Sequence, residues 1–181
     1  MINPIKIYVK SMDSLSMLIG NIVKFLVLLM IAVLAYEAVS RNIFGTSNKW
    51  SLEITQFING TYYLLGGAYV YLIGGHVRMD FFYERWSRRK KAVIDICTFI
   101  LSLAYLTGLL IGGISSSYYA VKYNQTNYSA WGPPIAPMKI IATVGIILML
   151  LQNISELIKD IVIAFGKDSS WIKNWSVDNE F

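Results

Sequence analysis

Long apolar stretches alternate with short polar segments along most of the chain. Four such stretches cover about residues 15–40, 50–73, 92–120 and 138–158. A hydrocarbon core about 30 Å thick is crossed by about 20 helical residues, so each stretch is long enough to span a membrane. The pattern predicts an all-α integral membrane protein with four transmembrane helices plus short amphipathic interfacial helices, in a single membrane domain over residues 1–181.

The fourth stretch changes character after its apolar first half. Polar and apolar residues then recur with helical spacing, which is typical of a helix with one polar face. The polar side contains Gln152, Asn153, Ser155, Glu156, Lys159 and Asp160. We therefore expect this helix to leave the membrane as an amphipathic tail.

Basic residues are unevenly distributed between the predicted loops. The chain has 16 Lys and Arg against 11 Asp and Glu. Loop 74–91 contains Arg78 and the block that orients the protein, which is Arg85, Arg88, Arg89, Lys90 and Lys91. Because Lys and Arg collect in cytoplasmic loops, loop 74–91 is predicted to be cytoplasmic and loop 121–137 periplasmic. Both termini are then cytoplasmic, and we expect the protein in a bacterial inner membrane.

Residues that commonly carry catalysis or bind cofactors are scarce. The only histidine is His76 and the only cysteine is Cys97, which excludes a bis-histidine haem and an intrachain disulfide. No nucleophile is paired with a base, so we expect no enzyme activity, no cofactor, and no catalytic, substrate-binding or metal-binding residue. The cations flank apolar spans rather than cover a soluble fold, which favours membrane lipids over nucleic acid as a partner.

Two acidic residues lie where apolar helices are predicted to end or begin. Glu37 precedes Arg41 by four residues, a spacing that allows an ion pair. For Glu53 two environments remain open, namely pairing with Arg41 across a short turn and solvation at the start of a helix. His76 and Asp80 are also four apart, and we expect them to have a structural role at the end of the second span.

Small residues recur along one face of the second stretch. Gly60, Gly67 and Gly74 follow one another at intervals of seven, which keeps them close to one face of a helix. Such a groove lets another helix approach closely, either inside the bundle or on a partner, and we expect a partner. Gly108 and Gly112 form a second, less specific small-residue pair.

The stretch from Arg41 to Asp80 contains an ordered set of motifs. It reads Arg41-Asn42-Ile43-Phe44-Gly45, then Trp50-Ser51-Leu52-Glu53, then Gly66-Gly67-Ala68, then His76-Val77-Arg78-Met79-Asp80. This set resembles the DctQ family, the small membrane subunit of tripartite ATP-independent periplasmic (TRAP) transporters. The resemblance implies a structural-motif role for the matching residues, which are Arg41, Trp50, Glu53, Gly66, Gly67, His76, Arg78 and Asp80.

The resemblance implies a partnership. Such subunits work as a scaffold beside a large membrane subunit, which carries the sodium and substrate sites, and with a periplasmic substrate-binding protein. The complex imports organic acid anions such as C4-dicarboxylates or sialic acids, so sodium is expected in the partner rather than in this chain. We expect the large subunit to contact Gly60, Gly67 and Gly74, and the binding protein to contact Lys49, Lys122 and Trp131. Two other functions stay open, which are a membrane anchor for a redox complex and an autonomous small transporter or channel.

Overall fold

The structure is a computed structural model that describes residues 4–75 and 88–165, without the side chains of 88–93 and 97. The described residues form four helices: α1 (Pro4–Ile43), α2 (Lys49–Leu72), α3 (Arg88–Lys122) and α4 (Ala136–Ala164). No β-strand occurs among these residues; Thr126 and Pro134 form one isolated bridge. The all-α prediction is therefore confirmed for the described chain.

Three of the four helices are long and apolar enough to cross a membrane. They are α1, α3 from Ile94 onward, and α4. Helix α2 occupies the second predicted stretch but contains more polar residues, so composition does not support it as a fourth crossing. Helix α2 packs against both α1 and α4, and two of its polar residues, Ser51 and Glu53, are buried.

Helix α1 begins much earlier than the apolar pattern predicts. It starts at Pro4 instead of near residue 15 and contains 40 residues, or about 60 Å at 1.5 Å per residue. This is about twice the thickness of a hydrocarbon core, so α1 extends beyond the membrane or tilts strongly. Proline is compatible with its first turn, where the missing N–H has no intrahelical acceptor.

The helices pack as a bundle in which α2 and α4 are the central pair. Helix α1 packs mainly on α2, and α3 packs mainly on α4. Gly20 lies against Tyr69, and Val23 lies beside Gly66, so α1 and α2 are antiparallel. Because α3 contributes little to the rest of the bundle, most of its surface faces outward.

At Gly145 the backbone of α4 lies directly against the backbone of α2. A Cβ atom added to Gly145 would lie 2.7 Å from the carbonyl oxygen of Leu64 and 2.8 Å from its carbonyl carbon. The obstacle is backbone, which cannot move aside as a side chain can. Only glycine therefore permits this crossing, as in other membrane helices that meet through small residues.

Candidate functional site

A buried polar cluster joins α1 to α4 across most of the sequence. Lys159 Nζ lies 2.8 Å from Asp13 Oδ1 and 2.8 Å from Glu156 Oε1. The side-chain amide of Gln152 donates to the same two oxygens, at 3.0 Å to Asp13 and 2.9 Å to Glu156. Gln152 also accepts a hydrogen bond of 2.8 Å from Ser16 Oγ. We call these five residues the inner cluster.

The inner cluster shows what the polar side of the fourth stretch contacts. Gln152 and Ser155 are fully buried and Lys159 is nearly so. The polar face of α4 packs on the first part of α1, which supplies Asp13. The pairing joins residues almost the whole chain apart, and helical periodicity contains no signal for it.

Smaller polar contacts tie the remaining helices together. Ser102 of α3 shares a hydrogen bond of 2.8 Å with the hydroxyl of Tyr71 on α2 and accepts one of 3.1 Å from Asn153 on α4. Further along, Ser117 and Thr143 link α3 and α4 at 2.9 Å. These side chains hold the helices in register where apolar packing alone has little directional preference.

The other end of the bundle contains the two short connections, 44–48 and 123–135, and we call it the loop end. Here Glu37 accepts hydrogen bonds from the backbone N–H of Asn48, at 3.2 Å, and from Ser47 Oγ, at 3.3 Å. The carboxylate thus holds the N-terminus of α2. Arg41 is exposed and forms no ion pair with any described residue, so the predicted pair of Glu37 and Arg41 is wrong.

Glu53 is the least satisfied polar group of the loop end. It is 6% exposed, and its Oε2 atom has no hydrogen-bond partner among the described residues. Both environments considered from the sequence are therefore wrong, since Glu53 is neither paired with Arg41 nor solvated. The helix packs this residue inward, on the face that continues to Gly60 and Gly67 and meets α4.

Two of the three glycines expected at a partner interface are covered within the chain. A Cβ added to Gly67 would lie 2.6 Å from Met149 Sδ, and one added to Gly60 would meet Met138. Gly74 follows the end of α2, with a positive φ of 67° and open space around it. The structure thus places Gly60 and Gly67 inside the bundle, where Met138 and Met149 of the same chain cover them.

A family comparison connects this geometry to known proteins. The model of the family described as "Tripartite ATP-independent periplasmic transporters, DctQ component" matches residues 30–162. The chain belongs to the DctQ family. The match begins inside α1, includes all of α2 and α3, and ends near the end of α4. No curated protein matches the sequence.

Membership of the DctQ family makes this chain a component of a transporter and agrees with its long apolar helices, which point to a multi-pass inner-membrane protein. Within the matched range, Trp50 stacks on Tyr36 with ring centroids 5.8 Å apart, which joins the start of α2 to the end of α1. A Cβ atom added to Gly66 would lie 3.7 Å from Cγ1 of Val23. These motif residues therefore mediate packing of α1 on α2.

Three motif residues of this DctQ chain and one residue of its basic block lie outside the described part. The motif residues are His76, Arg78 and Asp80, and the basic residue is Arg85. The remaining basic residues of the loop, Arg88, Arg89, Lys90 and Lys91, begin α3, but their side chains are not described, and neither is that of Cys97.

The three residues expected to meet a binding protein share the loop end. Lys49 begins α2, Lys122 ends α3, and both are exposed. Trp131 is 47% exposed in the second connection. Lys122 Nζ lies 5.6 Å from the ring centroid of Tyr118 and 5.5 Å from that of Tyr123, in cation–π contacts.

The described part of this DctQ chain contains no group of three or more His, Cys, Asp or Glu side chains that could hold a metal ion. Its largest polar assembly, the inner cluster, is closed, because the groups that form it already hydrogen-bond to one another. What the arrangement can do chemically is hold α1 against α4.

Proposed function

We propose that this DctQ chain is the small scaffold subunit of a sodium-driven TRAP transporter that imports an organic acid anion of the sialic acid or C4-dicarboxylate type. It works with a large membrane subunit and a periplasmic substrate-binding protein. The observation that carries the proposal is the family match over residues 30–162. Sodium and the anion bind to the partners.

The internal contacts of the bundle support a scaffold role. A subunit that stays in place while another moves must resist sliding between its own helices. The buried ion pair of Lys159 with Asp13, the glycine crossing at Gly145 and the Ser102 contacts each oppose such sliding. Interfacial aromatic residues such as Trp50 and Tyr36 oppose movement across the membrane plane.

The large subunit requires a contact surface that the bundle does not use itself. Helix α3 offers one, because it packs mainly on α4. In the most apolar stretch of α3, only 6% of the residues are buried. Gly108 and Gly112 have open space where a Cβ would lie. A helix of the large subunit packed on this face would bury the groove they form.

Orientation follows from the positive-inside rule. The loop end faces the periplasm, and both termini and the loop 74–91 face the cytoplasm. Lys49, Lys122 and Trp131 are then accessible to the binding protein. They lie on the side from which substrate arrives.

Reconstitution tests the proposal as a whole. The chain and the large subunit are co-expressed, co-purified and placed in proteoliposomes with an inward sodium gradient. Uptake of radiolabelled sialic acid and succinate is then measured with the binding protein present. We expect uptake of one anion only when all three components and sodium are present. Uptake by this chain alone would instead establish an autonomous transporter, and a haem spectrum of the purified chain would establish a redox anchor.

Paired variants test the α3 surface in the same preparation. Gly108→Leu combined with Gly112→Leu should lower co-purification of the large subunit at least about fivefold, because the added side chains fill the groove. Thr107→Leu places a leucine on exposed surface about 100° around the helix from Gly108 and serves as the control. Equal recovery of the double variant and the control would place the large subunit elsewhere.

A further inference from the structure

The connection between α3 and α4 is an ordered hairpin with an exposed tip. Residues 123–135 form this loop-end hairpin. The N–H of Asn127 donates to the carbonyl of Pro133 at 2.9 Å, and the N–H of Ile135 donates to the carbonyl of Gln125 at 3.0 Å. Lys139 Nζ also reaches the side-chain oxygen of Gln125 at 3.0 Å, which ties the base of the hairpin to α4.

Aromatic side chains project from the tip of this hairpin. Tyr128 has a relative exposure of 106%, so its ring makes almost no contact with the described chain. Gly132, at φ 59°, closes the tip, and its N–H donates to Ser129 Oγ at 3.0 Å. Because the backbone that carries this ring is already ordered, binding costs little further backbone entropy, and aromatic residues commonly dominate the affinity of protein interfaces.

The surface around the hairpin is positively charged. Arg41, Lys49 and Lys122 are all exposed at the loop end. Of the two acidic residues of that end, Glu53 is buried and the half-buried Glu37 binds the start of α2, so exposed cations outnumber acidic groups there. The partner that fits this surface is therefore a protein with an acidic face.

The hairpin follows a group of aromatic residues of the kind found at a membrane surface. Tyr118, Tyr119 and Tyr123 lie at the end of α3, where Tyr119 and Tyr123 have ring centroids 4.4 Å apart. Tyrosines at helix ends commonly sit at the membrane–water interface. Tyr128 follows them in the hairpin, beyond the last helical residue, Lys122.

From these observations we infer that Tyr128 is the anchor by which an acidic surface of the periplasmic binding protein docks on this chain. The inference rests on the proposed function. The exposed cations speed the encounter and orient the acidic partner, while the Tyr128 ring enters a pocket on it and slows dissociation. The hydrogen bonds of the hairpin fix the backbone from which the Tyr128 ring projects.

Binding kinetics test the role of the ring. The complex of this chain with the large subunit is held in nanodiscs, and association and dissociation of the binding protein are followed by biolayer interferometry. Tyr128→Ala should weaken affinity about tenfold or more, mainly through faster dissociation, whereas Tyr128→Phe retains most of it. Lys49→Glu with Lys122→Glu should slow association most at low salt.

Two controls separate the possible outcomes. Lys10→Glu reverses an exposed charge near the start of α1, away from the loop end, and should leave both rates unchanged. A nitroxide on Tyr128→Cys, in a Cys97→Ser background, should be accessible to an aqueous nickel reagent and become immobilised when the binding protein is added.

Each failure has its own meaning. If the unmodified complex binds the binding protein and Tyr128→Ala changes neither affinity nor dissociation by more than twofold, the anchor is refuted and the proposed function stands. A nitroxide that is accessible to oxygen but not to nickel would place Tyr128 in lipid and also refute the anchor. No binding by the unmodified complex would overturn the proposed function itself.

Discussion

At the scale of single residues, buried charge is the main departure from an ordinary membrane bundle. Lys159 contacts both Asp13 and Glu156, so one cation is shared by two carboxylates in a buried site. Removing two charges from water costs several kcal/mol, which only close pairing and hydrogen bonding can offset. The stability of this site therefore depends on each charge keeping its partners.

Lys159→Met should destabilise the protein by about 3 kcal/mol or more, because it leaves the buried carboxylate of Asp13 and the partly buried one of Glu156 without their cation. The free energy of unfolding in mixed micelles, from titration with sodium dodecyl sulfate, measures the change. Replacing the carboxylates as well, by Asp13→Asn and Glu156→Gln, should recover much of the loss. Lys24→Met, on the exposed face of α1, is the control and should change stability little. A Lys159→Met protein as stable as this control would show that the pairing contributes nothing.

At the scale of helices, the spacing between α2 and α4 depends on one glycine. Gly145 places its Cα against the backbone of Leu64, whereas Gly67 faces the flexible side chain of Met149. A methyl group is therefore accommodated at Gly67 more easily than at Gly145. At Gly108 a methyl group meets open space.

Gly145→Ala should lower the thermal stability of the purified protein and cost roughly 1–3 kcal/mol, because the helices must move apart to admit the methyl group. Gly108→Ala should be neutral or slightly stabilising, because alanine favours a helix by up to about 1 kcal/mol over glycine. Tryptophan fluorescence during heating in detergent compares the two. The same melting temperature for both variants would contradict the close crossing.

Sequence and structure agree closely at this scale on where α2 lies, and less closely on what its face contacts. The seven-residue spacing of Gly60 and Gly67 indicated a packing face, and the structure uses it for packing. The spacing could not predict that Met138 and Met149 of the same chain contact this face. Spacing gives the face of one helix but does not identify the helix that packs on it. The same limit applies to Glu53, whose burial depends on α4 and the loop end.

At the scale of the whole molecule, the remaining question is how often the chain crosses the membrane. By length and apolar composition, α1, α3 and α4 can cross a membrane, and α2 is not among these helices. Packing places α2 between α1 and α4 and antiparallel to α1. We therefore predict that α2 crosses the membrane together with its neighbours, as the apolar pattern over residues 50–73 also predicts.

Cysteine labelling distinguishes three crossings from four. In a Cys97→Ser background, Lys10→Cys and Ala130→Cys place one thiol near the start of α1 and one between α3 and α4. If α1, α2 and α3 all cross, an impermeant maleimide added to spheroplasts should label Ala130→Cys and reach Lys10→Cys only after permeabilisation. Labelling of both from the same side would mean that α2 does not cross.

The sequence by itself determined the class of the protein, the positions of its helices to within a turn or two apart from the start of α1, and its family. Bilayer thickness acts on local composition, and a motif can be recognised within one segment, so neither requires knowledge of distant contacts. Only the tertiary structure decided that Asp13 pairs with Lys159, that Glu53 is buried, and that Met149 covers Gly67. The physical reason is that such contacts depend on how helices rotate and cross. The rotation and crossing angle of each helix depend on its packing against all the others.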